Sequence, residues 1–138
     1  MTLYLDSSVL LRVVLRQPDA LAEWSSVPQG VASALVQVEC LRTLDRLRVR
    51  ATLSDLDQAV RREGVFRLLD AIELIEPTPI VLARAAQPMP TELGTLDAIH
   101  LATALLWQEG ANTELVMATH DAALGTAARA FGLRVVGV

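Results

Sequence analysis

The chain has 138 residues, is 52% apolar and 20% charged, and carries a formal net charge of −4. That length suits one folded domain over residues 1–138, long enough to bury about two-thirds of its unfolded surface. The negative balance excludes a globally basic nucleic-acid binder, and no apolar run reaches the roughly 18 residues of a membrane span. So high an apolar content predicts that some surface is covered by a partner. Residues 1–6 lack the basic start and cleavage site of a secretory signal. The single cysteine, Cys40, cannot close an intrachain disulfide, which fits a reducing, cytoplasmic setting. All twelve basic residues are arginine, whose planar fork suits phosphate, so any nucleic-acid surface is expected as a local patch.

Along the chain, the apolar run Thr2-Leu3-Tyr4-Leu5 reads as a short buried strand closed by Asp6, and Ser7-Ser8 offers an N-cap for a helix over 9–15. Pro18-Asp19 opens a short helix ending near 26. Pro28-Gln29-Gly30 is a turn into a brief strand, 31–32, after which Ser33 caps a long helix to about 50. Ser54-Asp55 caps another to about 71. Ile72-Glu73-Leu74-Ile75 alternates as a strand does, and Pro77 ends it. A helix over 80–87 is broken by Pro88-Met89-Pro90, and Thr95 caps a helix to 109 or 110. A strand over 114–118, a helix over 121–130 and a strand over 133–138 complete the pattern, with no repeat, low-complexity tract or linker. Parallel strands need crossovers and the helices supply them, so the fold class is α/β: a three-layer α/β/α sandwich with a mostly parallel four- to five-stranded sheet.

Four acids stand at structural junctions of this pattern. Asp6 ends the first strand and Asp121 lies just past the fourth, in Thr119-His120-Asp121, both on the edge where ligands gather in such sheets. Glu39 falls among Leu35, Val36, Val38, Cys40 and Leu41, against the apolar stripe rather than on the open face; a glutamate so placed can also snorkel outward. Asp97 sits in the first turn of its helix, where an acid also favours the helix dipole. Gathered carboxylates raise one another's proton affinity, so such a cluster persists when a cation neutralises it. Oxygen-only donors point to Mg²⁺, with Mn²⁺ as a substitute.

Leu5-Asp6-Ser7-Ser8-Val9-Leu10, Ser33 with Glu39-Cys40-Leu41-Arg42, Thr95-Leu96-Asp97-Ala98-Ile99-His100-Leu101-Ala102-Thr103-Ala104 and Thr119-His120-Asp121 together resemble the PIN domain, the nuclease fold of VapC-type toxins in bacterial toxin–antitoxin pairs. The likeness runs the whole chain, and its most specific piece is Leu-Asp-Ala-Ile-His-Leu-Ala. It implies a Mg²⁺-dependent endoribonuclease, usually a homodimer, held inactive by a cognate antitoxin, with Asp6, Glu39, Asp97 and Asp121 as the acidic quartet. One departure is Gly94, where family members often carry arginine just before the Thr-Leu-Asp element.

Phosphodiester hydrolysis needs a nucleophilic water near neutral pH, neutralised phosphate charge and a stabilised leaving alkoxide. Asp6 and Asp97 are expected to ligate a first ion directly or through water, and Asp121 to complete that site or a second one. Glu39 is then a ligand or the base that orients the attacking water. Ser8 and Thr119 place hydroxyls beside two of these acids, able to hydrogen-bond a ligand or metal water, or to serve as ordinary caps and turns. From Glu39 the helix runs Arg42, Arg46, Arg50, a candidate RNA track whose plainer reading is a solvated face paired with Asp45, Asp55 and Asp57. His100 is expected to be structural rather than a ligand, His120 to lie in an exposed loop, and Cys40 to be buried and inert. Trp24, Trp107 and Tyr4 are too scattered for a base-stacking platform.

Other classes fit less well. A phosphate-receiving regulator domain relies on a lysine, which this chain lacks. The phosphatases that begin Asp-x-Asp fail at Ser8, and no Gly-rich phosphate loop is present. The serious alternative is a catalytically silent PIN-like module that binds RNA or a protein.

Overall fold

The computed structural model describes residues 1–27, 29–50 and 52–138. Pro28, part of the expected turn before the second strand, lies outside the described residues. In chain order the elements are β1 (Thr2–Leu5), α1 (Ser7–Val14), a short 3-10 helix (Ala22–Ser26), β2 (Gln29–Ser33), α2 (Leu35–Val49) and α3 (Asp55–Asp70). The second half holds β3 (Glu73–Ile75), α4 (Pro79–Ala85), α5 (Thr95–Ala111), β4 (Leu115–Ala118), α6 (Ala122–Ala130) and β5 (Arg134–Val136). The five strands lie in the order β3-β2-β1-β4-β5, and every pairing between them is parallel. The expected α/β/α sandwich is therefore the observed fold, at the five-stranded end of the expected range.

Both faces of the sheet are covered, which is why the strands read as continuous apolar runs rather than as alternating ones. On one face Leu3, Leu5, Ala32, Val116 and Ala118 pack with Val9 and Leu10 of α1, Val36, Cys40 and Leu44 of α2, and Val65 and Leu69 of α3. On the other, Tyr4, Val31, Leu115 and Met117 pack with Leu101, Ala104 and Leu105 of α5 and Leu124, Ala127 and Ala128 of α6. The register puts Tyr4 beside both Val31 and Met117, so the period of two along each strand sorts side chains cleanly between the layers. Gly30 is required in β2: a Cβ there would stand 2.8 Å from both Ile72 Cγ2 and Leu5 Cδ1.

The strand order reverses at β1, where the chain leaves β3 and crosses to β4 on the opposite side. This is the crevice in which doubly wound sheets hold their ligands, and Asp6 and Asp121 flank it.

Several local expectations are corrected. The N-cap of α1 is Asp6, whose carboxylate accepts from Ser7 N, because the strand's last residue is still extended where the helix begins. Thr95 is the first residue of α5 and Gly94 its N-cap. Gly94 has an ordinary φ of −65 and open space around its Cα, so an arginine there would be sterically admissible. The helix expected from Pro18 starts only at Ala22 and is 3-10; Asp19 is instead drawn to Arg12, at 2.8 Å. β2 starts at Gln29, two residues before the expected 31–32, because Gln29 and Gly30 pair with Thr2 and Leu3 of β1.

Candidate active site

Asp6 is the most constrained of the acids. It is 3% exposed, its Oδ1 accepts Ser7 N at 2.8 Å, and its Oδ2 accepts the Ser8 hydroxyl at 2.7 Å and the Thr119 hydroxyl at 2.9 Å. A carboxylate offers about four acceptor positions, so these bonds leave the free one on Oδ1. The same hydroxyls tie the two loops of the crevice together, since Ser8 Oγ accepts His120 N and Thr119 Oγ1 accepts Asp121 N, both at 3.0 Å. Ser8 and Thr119 thus act on Asp6 and on the loop carrying Asp121, the two uses foreseen for them combined.

Asp121 caps α6, its Oδ1 accepting Leu124 N at 2.8 Å. Asp97, in the first turn of α5, accepts no hydrogen bond from a described residue. Its pKa is pushed up from 3.8 to about 6, first by burial, then by the charges of Asp6 and Asp121. Those two carboxylates therefore stand close enough to repel it.

Glu39 is half-buried on α2, with 17% of its side chain exposed. Val38, its neighbour in the expected apolar stripe, is exposed instead; the buried positions of α2 are Val36, Cys40 and Leu44. Glu39 Oε1 meets His100 Nε2 at 2.5 Å, and Oε2 accepts the Ser7 hydroxyl at 3.2 Å. His100, fully buried, meets Tyr4 Oη through Nδ1 at 2.8 Å, and Oη accepts Ser33 N at 3.1 Å. Burial alone would lower the His100 pKa, but the hydrogen bond and charge of Glu39, with help from Asp6 and Asp97, raise it above 6.5. Burial also pushes the Tyr4 phenol well above 10.0. The expectation that His100 is a core residue holds for its burial, yet its partner is one of the four acids. Sequence spacing pointed to Asp97, one helical turn before His100, and not to Glu39; nothing hinted at Tyr4.

His120 is partly buried rather than an exposed loop residue. Its Nδ1 meets Gly137 O at 3.0 Å and so carries the hydrogen, leaving Nε2 buried without a partner among the described residues. Cys40 is buried, and burial pushes its thiol up to about 12, which makes it inert as expected. In the arginine stripe, Arg42 pairs with Asp45 at 2.9 Å and Arg46 donates to Thr43 Oγ1 at 3.1 Å. Arg50 is exposed at the end of α2. Asp45 also pairs with Arg48, at 3.1 Å; all three stripe arginines are exposed, and among the described residues Arg42 alone of the three shows the expected pairing with an acid.

Among the described residues, no group of three His, Cys, Asp or Glu side chains is arranged to hold an ion. The donor chemistry nevertheless fits a hard divalent cation: an open position on Asp6 Oδ1, an unbonded Asp97 and the second oxygen of Asp121 surround a crevice whose charges repel one another. Ligation requires these side chains to turn toward a common centre.

Fold and site together define a doubly wound α/β protein with an acidic crevice at the carboxyl edge of its parallel sheet. A family model described as PIN domain matches residues 3–129, and the chain belongs to that family. It is 33% identical to Ribonuclease VapC46 of Mycobacterium tuberculosis, covering 97% of this chain and 95% of that one. It is also 28% identical to Ribonuclease VapC47 of the same species, over 74% of each chain. Among solved structures, the fold matches FitAcB from Neisseria gonorrhoeae at a TM-score of 0.72, with 22% identity over 99% and 96% of the two chains. It matches VapBC2 from Rickettsia felis, solved on a promoter DNA fragment, at 0.68, with 10% identity over 98% and 97%.

Proposed function

We propose that this protein is a Mg²⁺-dependent endoribonuclease, a single PIN-like domain over residues 1–138, and the toxin of a type II toxin–antitoxin pair. The reading rests on Asp97, a half-buried carboxylate whose pKa is lifted to about 6 by burial and then by the repulsion of Asp6 and Asp121. A binding scaffold would be more stable without that repulsion, whereas a cation site needs it. The similarity to VapC ribonucleases supports RNA as substrate, and the similarity to toxin–antitoxin complexes supports an antitoxin as partner. Exposed Ile80, Leu82 and Leu96 on and beside α4 and α5 fit a homodimer, as the apolar composition suggests.

Mg²⁺, or Mn²⁺ in its place, supplies a water of lowered pKa and neutralises phosphate charge. Asp6, fixed by its three hydrogen bonds, presents a preset oxygen; Asp97 and Asp121 contribute the remaining charge. Glu39, anchored through Oε1 and Oε2, accepts a proton from, or orients, the attacking water. Arg42, Arg46 and Arg50 lead phosphates away along α2.

The test is brief expression of the toxin in a bacterial host, with RNA ends mapped genome-wide. New ends at a restricted set of sites, absent with Asp97→Asn and on co-expression of the antitoxin, are expected. An unchanged RNA-end profile together with tight RNA binding by the purified chain would favour the silent module.

A further inference from the structure

We propose that His100, held in one tautomer by Tyr4, is a positioning residue that fixes the Glu39 carboxylate at the mouth of the acidic crevice. The inference rests on the nuclease reading for what Glu39 does, and on geometry for how it is held. Tyr4 Oη accepts Ser33 N at 3.1 Å, so its own hydrogen is free for His100 Nδ1, 2.8 Å away. In the neutral ring Nδ1 is then an acceptor and the hydrogen resides on Nε2, where it is donated to Glu39 Oε1 at 2.5 Å. In that arrangement the order of bonds runs one way from backbone to acid.

The chain of bonds joins the two helical layers. Tyr4 lies on the face of the sheet covered by α5 and α6 and His100 on α5 itself, whereas Glu39 belongs to α2 on the other face. Tyr4 and His100 are both 0% exposed, with rings edge to face at 5.9 Å, so neither can reorient without disturbing the core. Glu39 keeps 17% of its side chain in solvent and would otherwise sample several rotamers on a helix surface. His100 Nε2 is also 3.9 Å from Asp6 Oδ1, between the two acids. A polar network serving stability alone would end on backbone or on another buried group. This one ends on a solvent-facing carboxylate of the crevice.

The experiment compares Tyr4→Phe, His100→Gln and His100→Leu with the wild type in two measurements. The first is the ¹⁵N shift pair of the neutral His100 ring in metal-free protein, readily assigned because the chain has two histidines. The wild type is expected to show hydrogen on Nε2, and Tyr4→Phe to lose that preference. The second is kcat and KM on one RNA substrate. His100→Leu is expected to lose about 10- to 100-fold in kcat with KM within about twofold, and His100→Gln, whose amide can still donate to Glu39, to recover most of the loss. Hydrogen on Nδ1 in the wild type overturns the proposal, as does a folded His100→Leu with undiminished kcat. Equal losses in Gln and Leu variants that track melting temperature also overturn it, by showing a purely structural role. If the wild type does not cleave RNA while the ring shows the expected tautomer, the nuclease reading falls and the positioning of Glu39 stands.

Discussion

At the residue scale, the four acids are not equivalent, although their sequence settings look alike. Asp6 is solvated by the protein itself through Ser7, Ser8 and Thr119, whereas for Asp97 burial and the repulsion of Asp6 and Asp121 outweigh the attraction of His100. Asp6→Asn should therefore destabilise the metal-free protein by about 2 kcal/mol, because an amide presents hydrogens to hydroxyl donors and weakens a helix cap. Asp97→Asn should do the reverse. The folded-state pKa of Asp97, about 6, exceeds its usual 3.8, so the folded protein binds the extra proton and stability falls as pH rises from about 4 through about 6. At neutral pH removal of that charge should stabilise by about 1 kcal/mol, since solvent screening reduces the full effect at a half-exposed group. Urea unfolding in EDTA at pH 4.5 and pH 7.5 checks both signs: wild type and Asp97→Asn should differ at the higher pH and converge at the lower. A variant as stable as wild type at both would mean that Asp97 is not crowded. The contact between His100 and Glu39 was not legible from sequence, because it joins side chains 61 positions apart on helices of different layers.

At the scale of elements, chain order carried most of the fold. Strand–helix alternation gave the parallel sheet, and the positions of Asp6 and Thr119-His120-Asp121 just past β1 and β4 placed them on one edge. What sequence did not show was the exact start of β2 and the 3-10 character of Ala22–Ser26, since both depend on what β1 and Arg12 draw toward themselves. Nor did Gly137 stand out. Its φ of +99 lies in the region that favours glycine, and a Cβ there would come within 2.4 Å of Thr119 O. Thr119 in turn holds Asp6, so the last turn of the chain braces the site from behind. Gly137→Ala should cost about 2–3 kcal/mol through backbone strain and reduce activity beyond what the stability loss explains. Thermal unfolding and activity assayed well below the melting temperature separate the two effects; full activity in a destabilised variant would detach Gly137 from the site.

At the scale of the whole molecule, an acidic crevice would suit a partner that brings its own cation. An antitoxin arginine entering among Asp6, Glu39, Asp97 and Asp121 would pair with the same oxygens that a metal needs. Its inhibition constant should rise with Mg²⁺ concentration, by about tenfold for each tenfold excess of metal over its dissociation constant if the two exclude one another. Titration of antitoxin at low and high Mg²⁺, with RNA fixed and saturating, measures this; a constant that does not move would place the inhibitor elsewhere, for instance over the Arg42, Arg46, Arg50 stripe. No helix of the described residues is long and apolar enough to cross a membrane.

If the acidic crevice hydrolyses RNA with a divalent cation, cleavage must depend on that ion, which is checked by the rate of RNA cleavage by the purified, antitoxin-free protein in excess EDTA, then after Mg²⁺ is restored, with Asp97→Asn alongside. The wild type should be inactive in EDTA and recover on Mg²⁺ addition, and Asp97→Asn should stay inactive by several orders of magnitude in both. Undiminished cleavage in EDTA, or an Asp97→Asn variant retaining more than about a tenth of the wild-type rate, a barrier change under about 1.4 kcal/mol, would contradict the account.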